Sequence, residues 1–277
     1  MGRVFLSAST SDRGQWLRLR SSIISLRSIM LSNPKGYPID LNADLGEGSE
    51  FDAELLLLIT SANIACGGHA GDPLSMRKTV IQALKSKVNV GAHPSFPDRE
   101  NFGRVSIDIS GKQLSDSIYQ QIMALRAICD ELGAKLFHVK PHGAFYNEVA
   151  KDKVLGRILI DVIKRIDPEL KLMILAGSPL VKQARQHGLT VIEEAFADRT
   201  YLSDGSLAPR SEVGAVIHDP QQALQQVRQI VGNMPVTTLG GQPIIINATS
   251  ICLHGDNQQA LEFAKLISEN LTEARKP

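Results

Sequence analysis

The feature that most limits the possible folds is a pattern that recurs seven times from Tyr37 onward. A short run of β-forming apolar residues ends in a cluster of glycine, histidine and acidic residues, and a helical pattern follows it. The runs lack strict polar alternation, which is typical of parallel strands buried on both faces. We expect strands at Ile39–Asp44, Ala62–Cys66, Val88–Ala92, Lys135–Val139, Lys171–Leu175, Leu189–Glu193 and Ser250–Leu253.

Seven strands that alternate with helices predict either a barrel or a doubly wound sheet. No Gly-x-Gly-x-x-Gly turn follows the first strand, which argues against a dinucleotide-binding sheet. Polar clusters follow nearly every strand, and βα barrels gather such residues on their C-terminal rim. We therefore predict an α/β barrel. In the less regular stretch 196–242 we expect a helix at about Pro220–Val231 and an extra strand at Val213–Ile217.

Cap residues mark several helices. Asp72 and Pro73 can begin a helix that runs to Lys87, since aspartate caps helix N-termini and proline fits the first turn. A long amphipathic helix is expected over 112–132, ended by Gly133. Asp256 can cap the last helix.

Composition excludes several classes of protein. The three cysteines form no CxxC pair, and no apolar run approaches the roughly 18 residues that span a bilayer, so we expect no disulfide scaffold and no membrane partner. The net charge of +1 gives no general case for binding of nucleic acid.

Residues 1–36 differ from the rest of the chain in charge, with five Arg and one Lys against a single acidic residue, Asp12. We interpret 1–36 as an early-called start (true start Met30) or a targeting segment, and 37–277 as one barrel domain.

Titratable residues follow the predicted strand ends. Four of the seven histidines lie there, and in a barrel all these loops open on one face. A lone histidine or acid after a strand is more often a hydrogen-bonding loop residue or a cap, as for Asp72, but their convergence favours a site. The candidates are Asn42, Asp44, Glu47, His69, His93, Lys140, His142, Asn147, Glu194, Asp198, Arg199, His254 and Asp256.

These residue types suit acid–base chemistry near neutral pH. Asp44, His69 and His93 are also the ligand types of a divalent metal ion. Lys140 and Arg199 could bind a carboxylate or phosphate, although Lys140 could equally form a structural salt bridge. The sequence contains no Walker loop, but ATP could still bind through loop amides and these cations. It contains no GxSxG elbow, so covalent acyl catalysis is not expected.

The motifs resemble those of one known family, LamB/YcsF, the family of 5-oxoprolinase A subunits. The resemblance runs from about residue 38 to 272 through IDLNADLGEG (39–48), ANIACGGHAGD (62–72), NVGAHPSFPDRENFGR (89–104), VKPHGAFYN (139–147), EAFADRTYLSDGSLAPRSEVGAVIHD (194–219) and ICLHGDN (251–257). It implies a distorted seven-stranded (β/α) barrel of the glycoside hydrolase/deacetylase type. It also implies that 5-oxo-L-proline, ATP and water give L-glutamate, ADP and phosphate, with further subunits B and C as partners.

The implied reaction suggests roles for the candidates. Asp44 or Glu47 with His69 or His93 would activate water or hold a metal ion, and His142 and His254 would move a proton to the ring nitrogen. We expect Asn42, Lys140, Asn147, Glu194, Asp198, Arg199 and Asp256 to contact substrate or phosphate. We also expect a cytoplasmic location and consider a homo-oligomer. Two alternatives stay open: a metal-dependent carbohydrate deacetylase-like hydrolase and a non-catalytic binding subunit.

Overall fold

The computed structural model describes residues 39–254 and 258–273. The N-terminal extension 1–36 and Asp256 lie outside the described residues, so their predicted roles stay predictions. The strands are β1 (Asp40–Leu45), β2 (Ser61–Ala65), β3 (Asn89–His93), β4 (Leu136–Val139), β5 (Lys171–Leu175), β6 (Val191–Phe196), β7 (Val236–Thr237), β8 (Pro243–Ile244) and β9 (Ser250–Cys252). The helices are α1 (Asp52–Leu58), α2 (Pro73–Lys85), α3 (Gly111–Leu132), α4 (Gly143–Val149), α5 (Lys153–Ile166), α6 (Pro179–Gln186), α7 (Pro220–Val231) and α8 (Gln258–Glu273).

Seven of the strands close a parallel barrel in the order β1-β2-β3-β4-β5-β6-β9. The barrel closes where β9 lies between β6 and β1, with Ile251 opposite both Ala195 and Leu41. The predicted (β/α) barrel is confirmed, and each predicted strand corresponds to one of the seven. Since all seven are parallel, their C-terminal ends point to one rim.

The helix caps form as the sequence predicts. The Asp72 carboxylate accepts hydrogen bonds from the backbone N–H groups of Leu74 and Ser75, which satisfies two free donors at the start of α2. Gly133 ends α3 in the left-handed conformation, at φ 68°, where a side chain would be strained. Among the described residues, no helix is both long and apolar enough to cross a membrane.

The stretch between β6 and β9 is only partly as predicted. The helix at Pro220–Val231 is confirmed as α7. The strand expected at Val213–Ile217 is wrong, because that segment makes only an isolated bridge between Val216 and Arg199. Gly214 lies at φ 83°, which bends the chain out of an extended path. The small antiparallel pair β7–β8 was not predicted.

The inside of the barrel is unusually polar. Barrel interiors are commonly filled by branched aliphatic side chains, but here Asn42, Asn63 and His138 are fully buried. The His138 Nε2 atom lies 2.6 Å from the Asn63 side-chain oxygen, and Asn63 Nδ2 donates to Asp44 Oδ1 at 2.8 Å. Gly91 leaves the room that the His138 ring occupies. These hydrogen bonds connect the barrel interior to the first carboxylate of the rim.

Candidate functional site

Two carboxylates enter the rim from the end of β1. Asp44 belongs to β1, and Glu47 follows it in a turn where Gly46 (φ 75°) and Gly48 (φ 94°) adopt conformations that favour glycine. The backbone N–H of Gly46 donates to Asp52 Oδ2 at 2.9 Å, which ties the turn to the start of α1. The turn therefore directs Glu47 back over the barrel mouth.

Three histidines from three strand ends surround Glu47. The Oε1 atom of Glu47 lies 2.7 Å from His69 Nε2, 3.4 Å from His142 Nδ1 and 3.7 Å from His93 Nε2. The rings of His69 and His142 stack with centroids 3.6 Å apart. One ligand atom from each of the four residues lies within 4.8 Å of every other. We call Glu47, His69, His93 and His142 the histidine cluster.

The outer nitrogens of two imidazoles are fixed by backbone carbonyls. His93 Nδ1 donates to the carbonyl oxygen of Lys140 at 2.7 Å, and His142 Nε2 donates to that of Phe102 at 3.0 Å. Because a carbonyl oxygen only accepts, each outer nitrogen carries the hydrogen, and the inner nitrogens of the neutral rings present lone pairs. These inner nitrogens, His93 Nε2 and His142 Nδ1, lie only 2.9 Å apart beside the Glu47 carboxylate. The arrangement therefore favours a bound cation or an additional proton between these two nitrogens and the carboxylate.

The inner imidazole nitrogens and the Glu47 carboxylate fit a divalent metal ion, because their lone pairs converge on one point. Imidazole nitrogens and a carboxylate suit zinc and similar ions, and carbonyl-bound outer N–H groups are typical of metal-binding histidines. His69 fits less directly, since its Nε2–H faces Glu47 and its buried Nδ1 has no hydrogen-bond partner. Compared with the predicted trio, the cluster keeps His69 and His93, takes Glu47 instead of Asp44, and adds His142.

Burial and charge separate the pKa values in the cluster. Burial lowers the pKa of both His69 and His142 to about 3, with the neighbouring His93 adding to the effect. Burial also opposes charge on His93, but the carboxylates of Asp44 and Glu47 outweigh it and raise the His93 pKa. Burial raises the pKa of Glu47. His93 is therefore the most basic imidazole of the histidine cluster.

Lys140 lies inside the barrel mouth and is only 2% exposed. Its ammonium contacts Glu194 Oε1 at 2.7 Å, Asp44 Oδ1 at 2.9 Å and Asn42 Oδ1 at 3.2 Å. Tyr146 donates its hydroxyl to the other Glu194 oxygen at 2.7 Å. Burial would raise the Asp44 pKa, but His93 and Lys140 hold it well below its usual range. All three ammonium donors are used, so the geometry favours the salt-bridge interpretation of Lys140 over anion binding.

A second histidine–carboxylate pair follows the ends of β6 and β9. His254 Nδ1 lies 2.8 Å from Asp198 Oδ2. Burial opposes both charges, but the pairing prevails, raising the pKa of His254 and lowering that of Asp198. Next to it, Arg199 donates to the backbone carbonyls of Ala208 and Ala215 and so secures the loop that follows β6.

A cavity of about 820 Å³ opens between the histidine cluster and this pair. Of the predicted site residues, those that line it are Asp44, Glu47, His93, Lys140, His142, Asn147, Arg199 and His254. His69 and Asp198 stand directly behind lining residues, and Asn42 and Glu194 lie deeper, against Lys140. The strand ends thus bring these distant residues into one mouth.

Comparison with known proteins gives the family. The LamB/YcsF family model matches residues 39–276. The chain belongs to the LamB/YcsF family. Its relatives include proteins named as the A subunit of 5-oxoprolinase from Haemophilus influenzae (strain PittEE), 50% identical over 84% of this chain and 95% of the relative, and from Histophilus somni (strain 129Pt), 48% identical over 85% and 95%. A crystal structure of a lactam utilization protein from Thermus thermophilus is 38% identical, with a TM-score of 0.80 over 85% of this chain and 96% of that one.

Several residues of this LamB/YcsF mouth were missed by the sequence analysis. Tyr146 precedes Asn147 in the VKPHGAFYN motif. Because the residues before it are apolar, the sequence pattern did not indicate that its buried hydroxyl binds Glu194. Phe102 contributes only a backbone carbonyl and a ring edge, which no residue-type pattern reveals. Arg210 lines the cavity from the loop after β6. It lies in the 194–219 motif, which resembles the family but showed no residue pattern that marked Arg210 as a candidate.

Proposed function

We propose that this chain is the A subunit of 5-oxoprolinase and takes part in the ATP-dependent opening of 5-oxo-L-proline to L-glutamate, ADP and phosphate, with subunits B and C as partners. The observation that carries the proposal is the convergence of two carboxylates and three histidines on one cavity: Asp44, Glu47, His93, His142 and His254. The names of the relatives supply the substrate, a five-membered lactam, and the multisubunit setting.

The proposed chemistry explains why ATP is needed. A five-membered lactam resists hydrolysis because its amine, once released, remains tethered beside the carboxyl group at high effective concentration. Transfer of the γ-phosphoryl group to the lactam oxygen would give an imidate-like species whose carbon accepts water. Once water has added, protonation of the ring nitrogen allows the carbon–nitrogen bond to break, and a second water hydrolyses the resulting acyl phosphate to L-glutamate and phosphate.

The side chains of the cavity suit these proton movements. Asp44 keeps a low pKa and stays ionised, so it can orient water or accept its proton through His93. His254, whose pKa is raised by its pairing with Asp198, faces the same cavity and can donate a proton to the ring nitrogen. Lys140 holds Asp44 in place and balances its charge.

We also propose that Glu47, His93 and His142, with His69 beside them, hold a divalent metal ion. Such an ion would supply Lewis-acid polarisation of a carbonyl or phosphoryl oxygen. The same cluster favours a second candidate function, a metal-dependent hydrolase that needs no ATP.

The deciding experiment measures glutamate release by the reconstituted three-subunit complex, with and without ATP. We expect Asp44→Asn and His142→Ala each to reduce turnover by at least about 100-fold, the scale of a lost acid–base group. His187→Ala is the matched control, because this histidine follows α6 and lies outside the cavity. Unchanged turnover in both site variants would refute the assignment. Turnover by subunits B and C alone would favour the non-catalytic alternative, and ATP-independent activity on acetylated sugars would favour the hydrolase.

A further inference from the structure

The cations that line the cavity differ in how far they are already engaged. The donors of Lys140 are used by Asp44, Asn42 and Glu194, and Arg199 donates to two backbone carbonyls. Arg104, Lys151 and Arg210 also line the cavity, and within 39–254 and 258–273 none of their charged groups has a hydrogen bond or an ion pair, although Arg104 lies against the ring of Phe102. An exposed, unengaged guanidinium at the wall of a site is available to a ligand carboxylate, which it can bind through two parallel hydrogen bonds.

The position of Arg210 is set by the loop after β6. The bridge between Tyr201 and Leu207 and the hydrogen bond from Arg199 to the Ala208 carbonyl hold the loop directly before Arg210. Arg210 lines the same cavity as His254 and belongs to the loop after β6 that also carries Asp198, whose pKa its charge helps to lower. Arg210 therefore projects from a secured loop beside the proton-donating pair.

Substrate chemistry makes this side the right one for a carboxylate. In 5-oxoproline the carboxylate is carried by the carbon bonded to the ring nitrogen. A substrate whose nitrogen faces His254 must then place its carboxylate next to His254 as well. The carboxylates of Asp44 and Glu47 line the same cavity and repel a third negative charge, so the substrate carboxylate is favoured beside a cation.

From this geometry we infer that Arg210 binds the carboxylate of the lactam substrate and so selects anionic over neutral lactams. The inference rests on the proposed function, because it takes 5-oxoproline as the substrate. It makes Arg210 a specificity residue, with the proton transfers left to the groups already described.

The test compares 5-oxo-L-proline with its neutral amide, 5-oxo-L-prolinamide, in the three-subunit complex. We expect Arg210→Gln to raise KM for 5-oxoproline by about 10- to 100-fold, as loss of a charged hydrogen-bond pair does, and to change kcat by less than about 3-fold. KM for the amide should stay within about twofold, and Arg210→Lys should recover part of the loss because it keeps the charge.

Two controls make the result decisive. Arg77→Gln, on the outer helix α2 and outside the cavity, should leave both KM values unchanged. Arg104 lines the other side of the cavity, against the ring of Phe102. The inference is overturned if Arg210→Gln leaves KM for 5-oxoproline within twofold, or if Arg104→Gln raises it equally. A wild-type complex that does not open 5-oxoproline would instead refute the proposed function.

Discussion

Gly91→Ala tests whether the polar barrel interior is as tightly fitted as the structure shows. A Cβ atom at Gly91 would lie 2.1 Å from His138 Nε2 and 2.3 and 2.5 Å from two further ring atoms. Ordinary contacts begin at 3.4 Å, so the ring would have to retreat by about 1.3 Å. His138 is fully buried and binds Asn63, so this retreat also breaks a buried hydrogen bond.

The expected cost adds two effects. Overpacking a core costs typically about 1–3 kcal/mol, and leaving a buried polar group unpaired costs about 1–3 kcal/mol. We therefore expect Gly91→Ala to lower the free energy of unfolding by about 3 kcal/mol, a large share of the roughly 5–15 kcal/mol typical of a folded protein. For a domain of this size, that corresponds to a fall in Tm of about 6–12 °C.

Urea denaturation of four proteins would measure this cost: wild type, Gly91→Ala, His138→Ala and the double variant. Removing the ring removes the clash, so Gly91→Ala should cost little in the His138→Ala background, and the coupling should reach about 2 kcal/mol or more. Gly240→Ala is the matched control, since a Cβ there meets nothing within 4 Å. Equal destabilisation by Gly91→Ala in both backgrounds would refute the reasoning.

Three further predictions concern the mouth of the barrel. Lys140→Met leaves two buried carboxylates without their cation and should lower the free energy of unfolding by about 3–5 kcal/mol, measured by urea denaturation; a neutral effect would contradict the buried network. The pKa of Asp198 is lowered in the folded state, so its pairing with His254 stabilises the fold above about pH 4, and this stabilisation is lost as the pH falls further. The difference in unfolding free energy between wild type and Asp198→Asn should therefore shrink from about pH 6 to about pH 3. A constant difference would contradict a stabilising Asp198–His254 pair. The wild-type chain should bind one zinc ion by calorimetry, and His142→Ala should weaken that binding by at least about 10-fold; equal affinities would remove His142 from the ligand set.

The sequence alone determined the barrel and the general place of the site. Strand formation and helix capping depend on residues close together in the chain, so the seven strands and the cap at Asp72 could be predicted from local patterns. Because parallel strands end on one rim, the sequence also placed His69, His93 and His142 on the same side as the two β1 carboxylates.

Only the tertiary structure decided which of these groups touch. His142 and His93 are 49 residues apart in the chain, and Lys140 and Asp44 are 96 residues apart, so no local periodicity encodes their contacts. Whether Lys140 is free for a ligand or saturated by buried carboxylates depends on the closed barrel around it. The same holds for Arg210, because only the folded chain shows that it lines the cavity and that its guanidinium has no partner among the described residues.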